Sequence, residues 1–490
     1  MYKKPATPYC GFLTKKVDGV KRLYVPRSAA HVLISAPTET GKTRRLLAPA
    51  AALWGGPAVI VSSKDDLMQL VMELRFGPVG LIDMRPVTAP VYPEGVRAFT
   101  YDPTVSIKTP MEAQTVAENI MQMATVGLGS GADQVSDGGI WESQAAGPLA
   151  AFLYAASPAV SRDGVGLGMN WVLRAVDNID PEKRNEPGWA QAAARCHRYE
   201  TLALSMMRTL EMEPRQRDSI AITMRKAITP WLRTSLAAAS ALNDNEQPTL
   251  FTPDSFDSEF LDDPHATLFI LAPADGTVAG AAVTLLESLV RRWRDKTASR
   301  EQMHRLLMVV DELPNTAPIP SLRRIVGEGR GLGINLMAAV QASCQLDTVY
   351  GEAYAKELRA IFPATVIMYG AHEIELLQAG EDWSLFTNRR PESFSQADGH
   401  KGLNSELGPG LRWQELLPSS PETARLLIRG TVGKTVEIPD FSVFKKRYDA
   451  AAKARLQLSS QRHQTLVAGA GPGAAGRAPS FRARLRSLRQ

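Results

Sequence analysis

Cysteine and histidine are both scarce in this sequence of 490 residues. The three cysteines, Cys10, Cys196 and Cys344, are odd in number and far apart, so they provide neither a disulfide framework nor a CxxC metal pair. The seven histidines contain no HExxH pattern, which argues against a catalytic zinc site. These absences exclude a disulfide-stabilised secreted domain and favour a reducing compartment.

Long apolar runs are missing as well. No stretch reaches the roughly 18 to 20 uninterrupted apolar residues that a membrane-spanning helix needs, and the N-terminus lacks the apolar core of a signal peptide. Apolar residues make up 44% of the chain and charged residues 22%, which is typical of a soluble globular protein. The sequence therefore predicts a cytoplasmic protein with no transmembrane segment.

The net charge of +5 is unevenly distributed. The first thirty residues carry about seven basic residues against Asp18, and residues 441–490 carry about eleven against Asp449. Basic ends of this kind suit contact with nucleic acid or with an anionic membrane surface. They also fit two solvated tails, and the charge alone does not decide between these interpretations.

A strand, a glycine-containing loop and a helix follow one another near residue 40. The apolar run HVLISA leads into APTETGKT, which is followed by a helix-forming stretch. In a P-loop, backbone N–H groups surround the phosphates, a lysine contacts the β- and γ-oxygens, and a hydroxyl holds Mg²⁺. Lys42 and Thr43 take the last two places. The predicted nucleotide-binding residues are Ala36, Pro37, Thr38, Glu39, Thr40, Gly41, Lys42 and Thr43.

Two residues depart from the usual P-loop pattern. Ala36 replaces the first glycine, which is a mild change if the backbone φ angle there is negative. Glu39 stands where P-loops often place another glycine, and its carboxylate would be repelled by phosphates unless it points away or pairs with a cation. The sequence thus raises the question of whether hydrolysis is slow.

An acidic pair follows a second apolar run, LLMVVDE. In open α/β sheets, ligands bind at the carboxyl ends of the strands, which is where this run delivers Asp311 and Glu312. We expect Asp311 to hold Mg²⁺ and Glu312 to orient and polarise the attacking water. Further along, Arg330 lies between two glycines and Gln341 ends the next apolar run.

Arg330 has two interpretations on the residues alone. On a mobile glycine-flanked loop it would reach the γ-phosphate of a neighbouring subunit, but the residues alone favour a solvated loop cation. Gln341 similarly fits a satisfied polar group at a strand end. Neither role follows from spacing by itself.

Apolar runs of strand length alternate with helical patterns in two parts of the chain, which predicts an α/β fold with a parallel sheet. Between these parts, residues from about 109 onward show helical periodicity and no convincing strand. The last apolar run, RLLIRG, is predicted to be an edge strand. The predicted segments are a basic lead (1–30), the first part of a nucleotide-binding domain (31–108), an inserted all-α domain (109–248), the second part of the nucleotide-binding domain (249–448) and a flexible basic tail (449–490).

Three stretches together resemble the TraG/VirD4/TraD family of coupling ATPases of conjugation and type IV secretion. They are APTETGKT, WESQAAGPLAAFLYAA and, most specifically, the long stretch from VVDELPNTAPIPS to LGINLMAAVQ. In that family the acidic pair is followed by a proline-containing loop, a short helix, an arginine and then a glutamine. Asp311, Glu312, Pro314, Arg330 and Gln341 occupy the matching positions.

The resemblance implies a RecA-like P-loop nucleotide-binding domain with an inserted all-α domain, binding ATP and Mg²⁺. It implies a homo-hexamer that hydrolyses ATP between subunits, with Lys42, Glu312 and Gln341 catalytic and Arg330 acting in trans. It also implies partners, namely single-stranded DNA with its attached relaxase and the subunits of a type IV secretion channel.

One departure from the family concerns the membrane, because most members begin with transmembrane helices. An anchor on a separate polypeptide, peripheral attachment at the inner face of the cell membrane through the basic ends, or a truncated sequence would each account for it. Other functions also remain open: a coupling ATPase for protein effectors, a nucleotide-binding scaffold with little hydrolysis and, more distantly, a DNA pump of the FtsK and HerA branch.

Overall fold

The structure, a computed structural model, describes residues 7–17, 20–87, 91–124, 137–180, 182–183, 185–240, 254–389, 392–394, 401–403 and 406–469. Most of the strands belong to one large mixed sheet. The strands are β1 (Leu13–Val17), β2 (Val20–Tyr24), β3 (His31–Ser35), β4 (Ala58–Ser62), β5 (Val79–Asp83), β6 (Val96–Thr100), β7 (Asp254–Ser255), β8 (Thr267–Leu271), β9 (Leu306–Val310), β10 (Ile334–Val340), β11 (Ala364–Met368), β12 (Phe386–Arg389), β13 (Glu392–Phe394), β14 (Lys401–Leu403), β15 (Glu406–Pro409), β16 (Thr423–Ile428) and β17 (Lys434–Glu437).

Helices fill most of the intervening chain, and a π-helix at Thr43–Leu47 directly precedes the first α-helix. Short 3₁₀ turns occur at Pro158–Val160, Ser258–Asp262 and Trp413–Leu416. The α-helices are α1 (Ala48–Leu53), α2 (Asp66–Met72), α3 (Pro110–Met123), α4 (Asp137–Ala156), α5 (Gly168–Ala175), α6 (Trp189–Arg195), α7 (Glu200–Leu210), α8 (Pro214–Ser240), α9 (Ala279–Ala298), α10 (Leu313–Thr316), α11 (Leu322–Leu332), α12 (Gln345–Tyr350), α13 (Glu352–Ile361), α14 (Ile374–Glu381) and α15 (Phe441–Gly469).

The large sheet has the strand order β17-β16-β11-β3-β10-β9-β4-β8-β5-β6-β7. From β11 to β7 all neighbouring strands are parallel, whereas β16 pairs antiparallel with both β11 and β17. The carboxyl ends of the parallel strands therefore lie along one side of the sheet, and their amino ends along the opposite side. We call the edge where β3, β9, β10 and β11 end the C-terminal edge, and the edge where they begin the N-terminal edge.

The apolar residues of the central strands alternate between two hydrophobic clusters, one on each face of the sheet. In β3, Leu33 belongs to one cluster and Ile34 to the other. The first face is covered by α3, α4, α9, α11 and α13, and the second by α1, α2 and the start of α15. Burial on both faces explains why these strands are continuous apolar runs rather than alternating ones.

The helices α3 to α8 lie between β6 and β7 in the sequence. The first of them begins at a capping box, in which the Thr109 hydroxyl accepts from the Glu112 backbone N–H and the Glu112 carboxylate accepts from the Thr109 N–H, with Pro110 as first helical residue. The predicted boundary at residue 248 lies outside the described residues. The division into domains therefore stays a prediction.

The prediction that the apolar runs of strand length form strands is confirmed. Eight such runs form β3, β4, β5, β8, β9, β10, β11 and β16. The prediction that RLLIRG is an edge strand is wrong, because β17 pairs with its outer side. The short, partly charged sequence of β17 gives no strand pattern of its own. Within the described residues, no helix combines the length and apolar character needed to cross a membrane.

The C-terminal tail differs from the prediction of a flexible segment starting at residue 449. Instead, α15 continues to Gly469. The reason is visible in its composition, since alanine, lysine, arginine, glutamine and leucine favour helix and no glycine or proline interrupts α15 before Gly469. Residues 470–490 of the predicted tail, and residues 1–6 of the basic lead, lie outside the described residues.

Candidate nucleotide-binding site

The predicted P-loop connects the end of β3 to the π-helix. The Ala36 N–H donates to the carbonyl of Val340 at 3.0 Å, which continues the pairing of β3 with β10. At the other end of the loop the Arg45 N–H donates to the Gly41 carbonyl at 2.8 Å. Gly41 has a φ of 80°, a left-handed conformation that glycine adopts without steric cost. The loop is thus held at both ends by backbone hydrogen bonds.

The two unusual P-loop residues occupy different environments. Ala36 is fully buried among the apolar residues of the α1 face, where its methyl group contributes to packing. Glu39 is exposed and has a φ of 63°, a region in which a residue with a Cβ is strained by about 1 kcal/mol or more. This backbone conformation explains why glycine is frequent at the equivalent place in P-loops.

Four of the predicted site residues meet at the C-terminal edge. The Lys42 ammonium Nζ lies 2.8 Å from Asp311 Oδ1 and 3.9 Å from Glu312 Oε1. The Gln341 amide Nε2 donates to Glu312 Oε1 at 3.3 Å. Lys42 and Gln341 are 299 positions apart in the sequence. The parallel pairing of β3, β10 and β9 brings the carboxyl ends of these strands side by side, and the residues that follow them therefore meet.

The acidic pair is positioned by the end of β9. The Asp311 N–H donates to the Val61 carbonyl at 2.9 Å, and the Thr316 hydroxyl donates to the Asp311 carbonyl at 2.7 Å. Glu312 has a left-handed backbone with a φ of 55°. This turn ends the strand abruptly, so that two consecutive carboxylates, which would point to opposite faces of a regular strand, both lie near Lys42.

Thr43 follows Lys42 as the first residue of the π-helix. The next residues of this helix contact the chain near the start of α15. Arg44 forms an ion pair with Asp440 at 3.1 Å, and Arg45 donates to the Ile438 carbonyl at 2.9 Å. The pKa of the Asp440 carboxyl is lowered, first by its hydrogen bond from Arg44. The P-loop helix is therefore tied to the segment that leads into α15.

Arg330 is not brought to this cluster. It lies near the end of α11, four residues before β10 begins, and hence at the N-terminal edge. The seven residues of β10 separate it from Gln341 by about 20 Å at the usual rise of a strand. The prediction that it lies on a mobile loop is wrong, because the glycines around it are helical and α11 packs an apolar face against the sheet.

The surroundings of Arg330 contain two residues that the sequence analysis did not single out. Arg305 donates to the Arg330 carbonyl at 3.3 Å, and a Cβ at Gly329 would lie only 2.9 Å from the Cε1 atom of His31. Burial first, and then the charge of Arg305, lower the pKa of His31 to about 4. Burial likewise lowers the pKa of Arg305. Only the tertiary structure reveals this group.

A third unpredicted residue, Glu373, is buried at the C-terminal edge just after β11. Its carboxylate accepts hydrogen bonds from Ser35, which precedes the P-loop, and from Ser343, which follows Gln341. The available signal was its place after an apolar run, the same signal that revealed Asp311. It was missed because four residues, 369–372, separate it from the end of the strand.

Comparisons with known proteins identify one family and one fold. The sequence profile of the family described as type IV secretory system conjugative DNA transfer matches residues 8–375. Among curated proteins, none matches the chain in sequence.

Solved structures of the bacterial conjugative coupling protein TrwB resemble the chain. An unbound form of TrwBdeltaN70 is 19% identical, with 89% of both chains covered and a TM-score of 0.52. TrwB in complex with the non-hydrolysable ATP analogue ADPNP is 18% identical, with 89% of this chain and 96% of that chain covered and a TM-score of 0.52. TrwB in complex with ADP and Mg²⁺ is 18% identical, with coverages of 84% and 85% and a TM-score of 0.52. At this identity the likeness shows the fold, and it confirms a RecA-like α/β fold.

Proposed function

This chain belongs to the type IV secretory system conjugative DNA transfer family, and from that premise we propose that it is an ATP-hydrolysing coupling protein that moves DNA to a type IV secretion channel. The observation that carries the proposal is the cluster at the C-terminal edge. There Lys42 lies 2.8 Å from Asp311 and 3.9 Å from Glu312, directly beside the P-loop. A phosphate-binding loop, a cation and two carboxylates are the groups that phosphoryl transfer requires.

Lys42 and the P-loop backbone bind the phosphates of ATP in this proposal. The Lys42 ammonium now pairs with Asp311, so nucleotide binding exchanges a carboxylate partner for phosphate oxygens at little electrostatic cost. Thr43 and Asp311 are the residues that would hold Mg²⁺, because hydroxyl and carboxylate oxygens are the ligands this ion prefers. Bound there, the ion would neutralise charge that develops on the phosphate oxygens.

Glu312 and Gln341 act on the attacking water. The hydrogen bond from Gln341 Nε2 to Glu312 Oε1 holds the carboxylate in one orientation, and that carboxylate accepts a hydrogen bond from the water and polarises it. Only one oxygen of Glu312 is engaged by Gln341, which leaves the other for the water. A glutamine in this place also contributes a donor next to the γ-phosphate.

Arg330 completes the site from a neighbouring subunit. Its position at the opposite edge of the sheet from Lys42 and Gln341 favours a role in the site of a neighbouring chain over a role in its own. A ring, as in a homo-hexamer, would place the N-terminal edge of one chain against the C-terminal edge of the next. The guanidinium then stabilises the transition-state charge in trans.

The cargo in this proposal is single-stranded DNA with its attached relaxase, and the partners are the subunits of the secretion channel at the inner face of the cell membrane. Attachment to the membrane would use either a separate anchor or the basic ends of the chain. The predicted inserted all-α domain (109–248) would take part in recognising the cargo.

The proposal is tested by measuring phosphate release from ATP with and without single-stranded DNA. We expect DNA to stimulate hydrolysis, and Lys42→Ala to lower the rate at least about a hundredfold because the phosphates lose their cation. The exposed Lys108→Ala is the matched control and should match the wild type. Equal rates for wild type and Lys42→Ala would reject the ATPase, while hydrolysis indifferent to DNA at moderate salt, with no DNA bound, would reject the DNA motor.

A scaffold that binds nucleotide but hydrolyses little is a second candidate, favoured by the strained backbone of Glu39. It predicts tight ATP binding without phosphate release in the same assay. A coupling ATPase for protein effectors is distinguished by its cargo, since a pull-down would recover effector proteins without relaxase.

A further inference from the structure

Glu373 is a buried carboxylate that the proposed mechanism does not use. Its Oε1 atom accepts from the Ser35 hydroxyl at 2.5 Å and from the Ser343 backbone N–H at 2.7 Å, and its Oε2 atom accepts from the Ser343 hydroxyl at 2.5 Å. All three residues are less than a tenth exposed. Three hydrogen bonds thus hold both oxygens of this buried carboxylate in place.

The three hydrogen bonds join the ends of three strands that are remote in sequence. Ser35 is the last residue of β3, and the next residue, Ala36, begins the P-loop. Ser343 lies two residues after Gln341, whose amide contacts Glu312. Glu373 itself follows β11, so one carboxylate connects the P-loop with the segment that carries the glutamine.

Neighbouring contacts hold the same segments from other sides. Arg359 donates to the Ser343 carbonyl at 3.2 Å and forms an ion pair with Asp347 at 3.0 Å. In the turn before Glu373, a Cβ at Gly370 would lie 3.9 Å from the Cγ atom of Pro37 in the P-loop. The turn after β11 thus passes close to Pro37 of the P-loop, and Glu373 is hydrogen-bonded to Ser35 at the base of that loop.

We propose that Glu373 is a positioning residue that ties the base of the P-loop to the Gln341 segment, so that nucleotide held by Lys42 and the water-orienting pair of Glu312 and Gln341 keep one relative placement. Glu373 touches neither group directly. It acts through Ser35 on the loop and through Ser343 on the glutamine. This inference rests on the proposed ATPase function.

The first variant is Glu373→Gln, which keeps the size of the side chain but replaces an acceptor oxygen by an amide donor. The matched control is Glu375→Gln, an exposed carboxylate two residues later in the first turn of α14. We expect Glu373→Gln to lower kcat about tenfold, because a small displacement of reacting groups is costly. KM for ATP should stay within about twofold, because the P-loop backbone and Lys42 still bind the phosphates.

The second measurement is hydrogen exchange of the Ser343 amide, which donates directly to Glu373. We expect exchange about tenfold faster in Glu373→Gln than in the wild type, and a non-hydrolysable ATP analogue should slow it in the wild type only. The milder Ser343→Ala should lower kcat less than Glu373→Gln, while Ser343→Thr, which retains a hydroxyl, should recover the wild-type value. Adding Ser343→Ala to Glu373→Gln should cause little further loss, because both changes break the same connection.

Two results would overturn the positioning role. One is a kcat for Glu373→Gln equal to that of Glu375→Gln. The other is a parallel loss of kcat, ATP affinity and thermal midpoint, which would mean that Glu373 only stabilises the fold. The proposed function would fail separately, if the wild type hydrolysed ATP no faster than Lys42→Ala. In that case the exchange of the Ser343 amide in Glu373→Gln still tests the contact: faster exchange would show that Glu373 holds this segment, and unchanged exchange would show that it does not.

Discussion

The two edges of the parallel sheet carry different arrangements of charge. At the C-terminal edge, Lys42 is paired with Asp311 and lies close to Glu312. At the N-terminal edge, Arg305 and Arg330 lie together beside the buried His31, and within the part of the chain that the structure describes no carboxylate pairs with either arginine. At the C-terminal edge the cation is thus paired within the same chain, whereas at the N-terminal edge Arg305 and Arg330 have no carboxylate partner among the described residues. This difference suits a protein whose site is finished by its neighbour.

The difference is tested most strongly by Arg330→Ala. We expect the assembled protein to hydrolyse ATP about a thousandfold more slowly, because in the proposed mechanism the transition state loses the cation that the neighbouring subunit supplies. The exposed Arg324→Ala, on the same helix, is the control. Phosphate release is the measurement.

Mixing experiments separate a role in trans from one in cis. Equal amounts of Arg330→Ala and Lys42→Ala chains should recover about a quarter of wild-type activity, since random assembly pairs an intact P-loop with an intact arginine at that frequency. If Arg330 acted in its own chain, the mixture would be as inactive as its components, and the contrast between the edges would have no catalytic meaning.

His31 provides the next test, through the pH dependence of stability. Its pKa of about 4 in the folded chain lies below the ordinary value of about 6.5, so the unfolded chain binds more protons in this range. Stability from neutral His31 is complete above about pH 6.5 and is lost as the pH falls towards 4, on the order of 1 kcal/mol per pH unit.

We therefore expect His31→Leu to flatten the decrease in the free energy of unfolding between pH 6.5 and 5, as measured by denaturant titration. The exposed His197→Gln should keep the wild-type slope. Identical slopes for wild type and His31→Leu would show that the N-terminal edge tolerates a positive charge on His31. The contrast in charge between the two edges would then have no effect on stability.

The smallest expected effect concerns the strained backbone at the C-terminal edge. Glu39→Gly should raise the free energy of unfolding by about 1 kcal/mol, because glycine adopts the left-handed conformation freely. It should also strengthen ATP binding a few-fold by removing a negative charge near the phosphates. Gly41→Ala, at a φ of 80°, should have the opposite effect on stability. A destabilised Glu39→Gly would instead show that the carboxylate has a structural role.

Local sequence patterns were sufficient for the central strands and for the P-loop. The apolar runs that form β3, β9 and β10 are buried on both faces, and such runs signal a parallel sheet without further information. Lys42, Asp311, Glu312 and Gln341 were identified because each follows one of these runs. Their meeting at one edge is a consequence of parallel pairing.

Patterns failed where a segment depends on distant partners. The glycine-rich sequence around Arg330 favours a loop by propensity, yet packing of Leu322, Ile325 and Val326 against the sheet makes it the helix α11. The strands β6 and β17 are partly exposed and β7 has only two residues, so that pairing with their neighbours, rather than an apolar run, defines them.

By itself, the sequence determined the α/β class, the phosphate-binding loop and the residue types that follow each central strand, because these depend on periodicity and local backbone chemistry. The tertiary structure alone decided which edge each residue occupies. It placed Arg330 away from its own P-loop and brought Glu373 to Ser35 across 338 positions of sequence. The physical reason is that strand order and pairing, which no local pattern encodes, set the distances on which the chemistry depends.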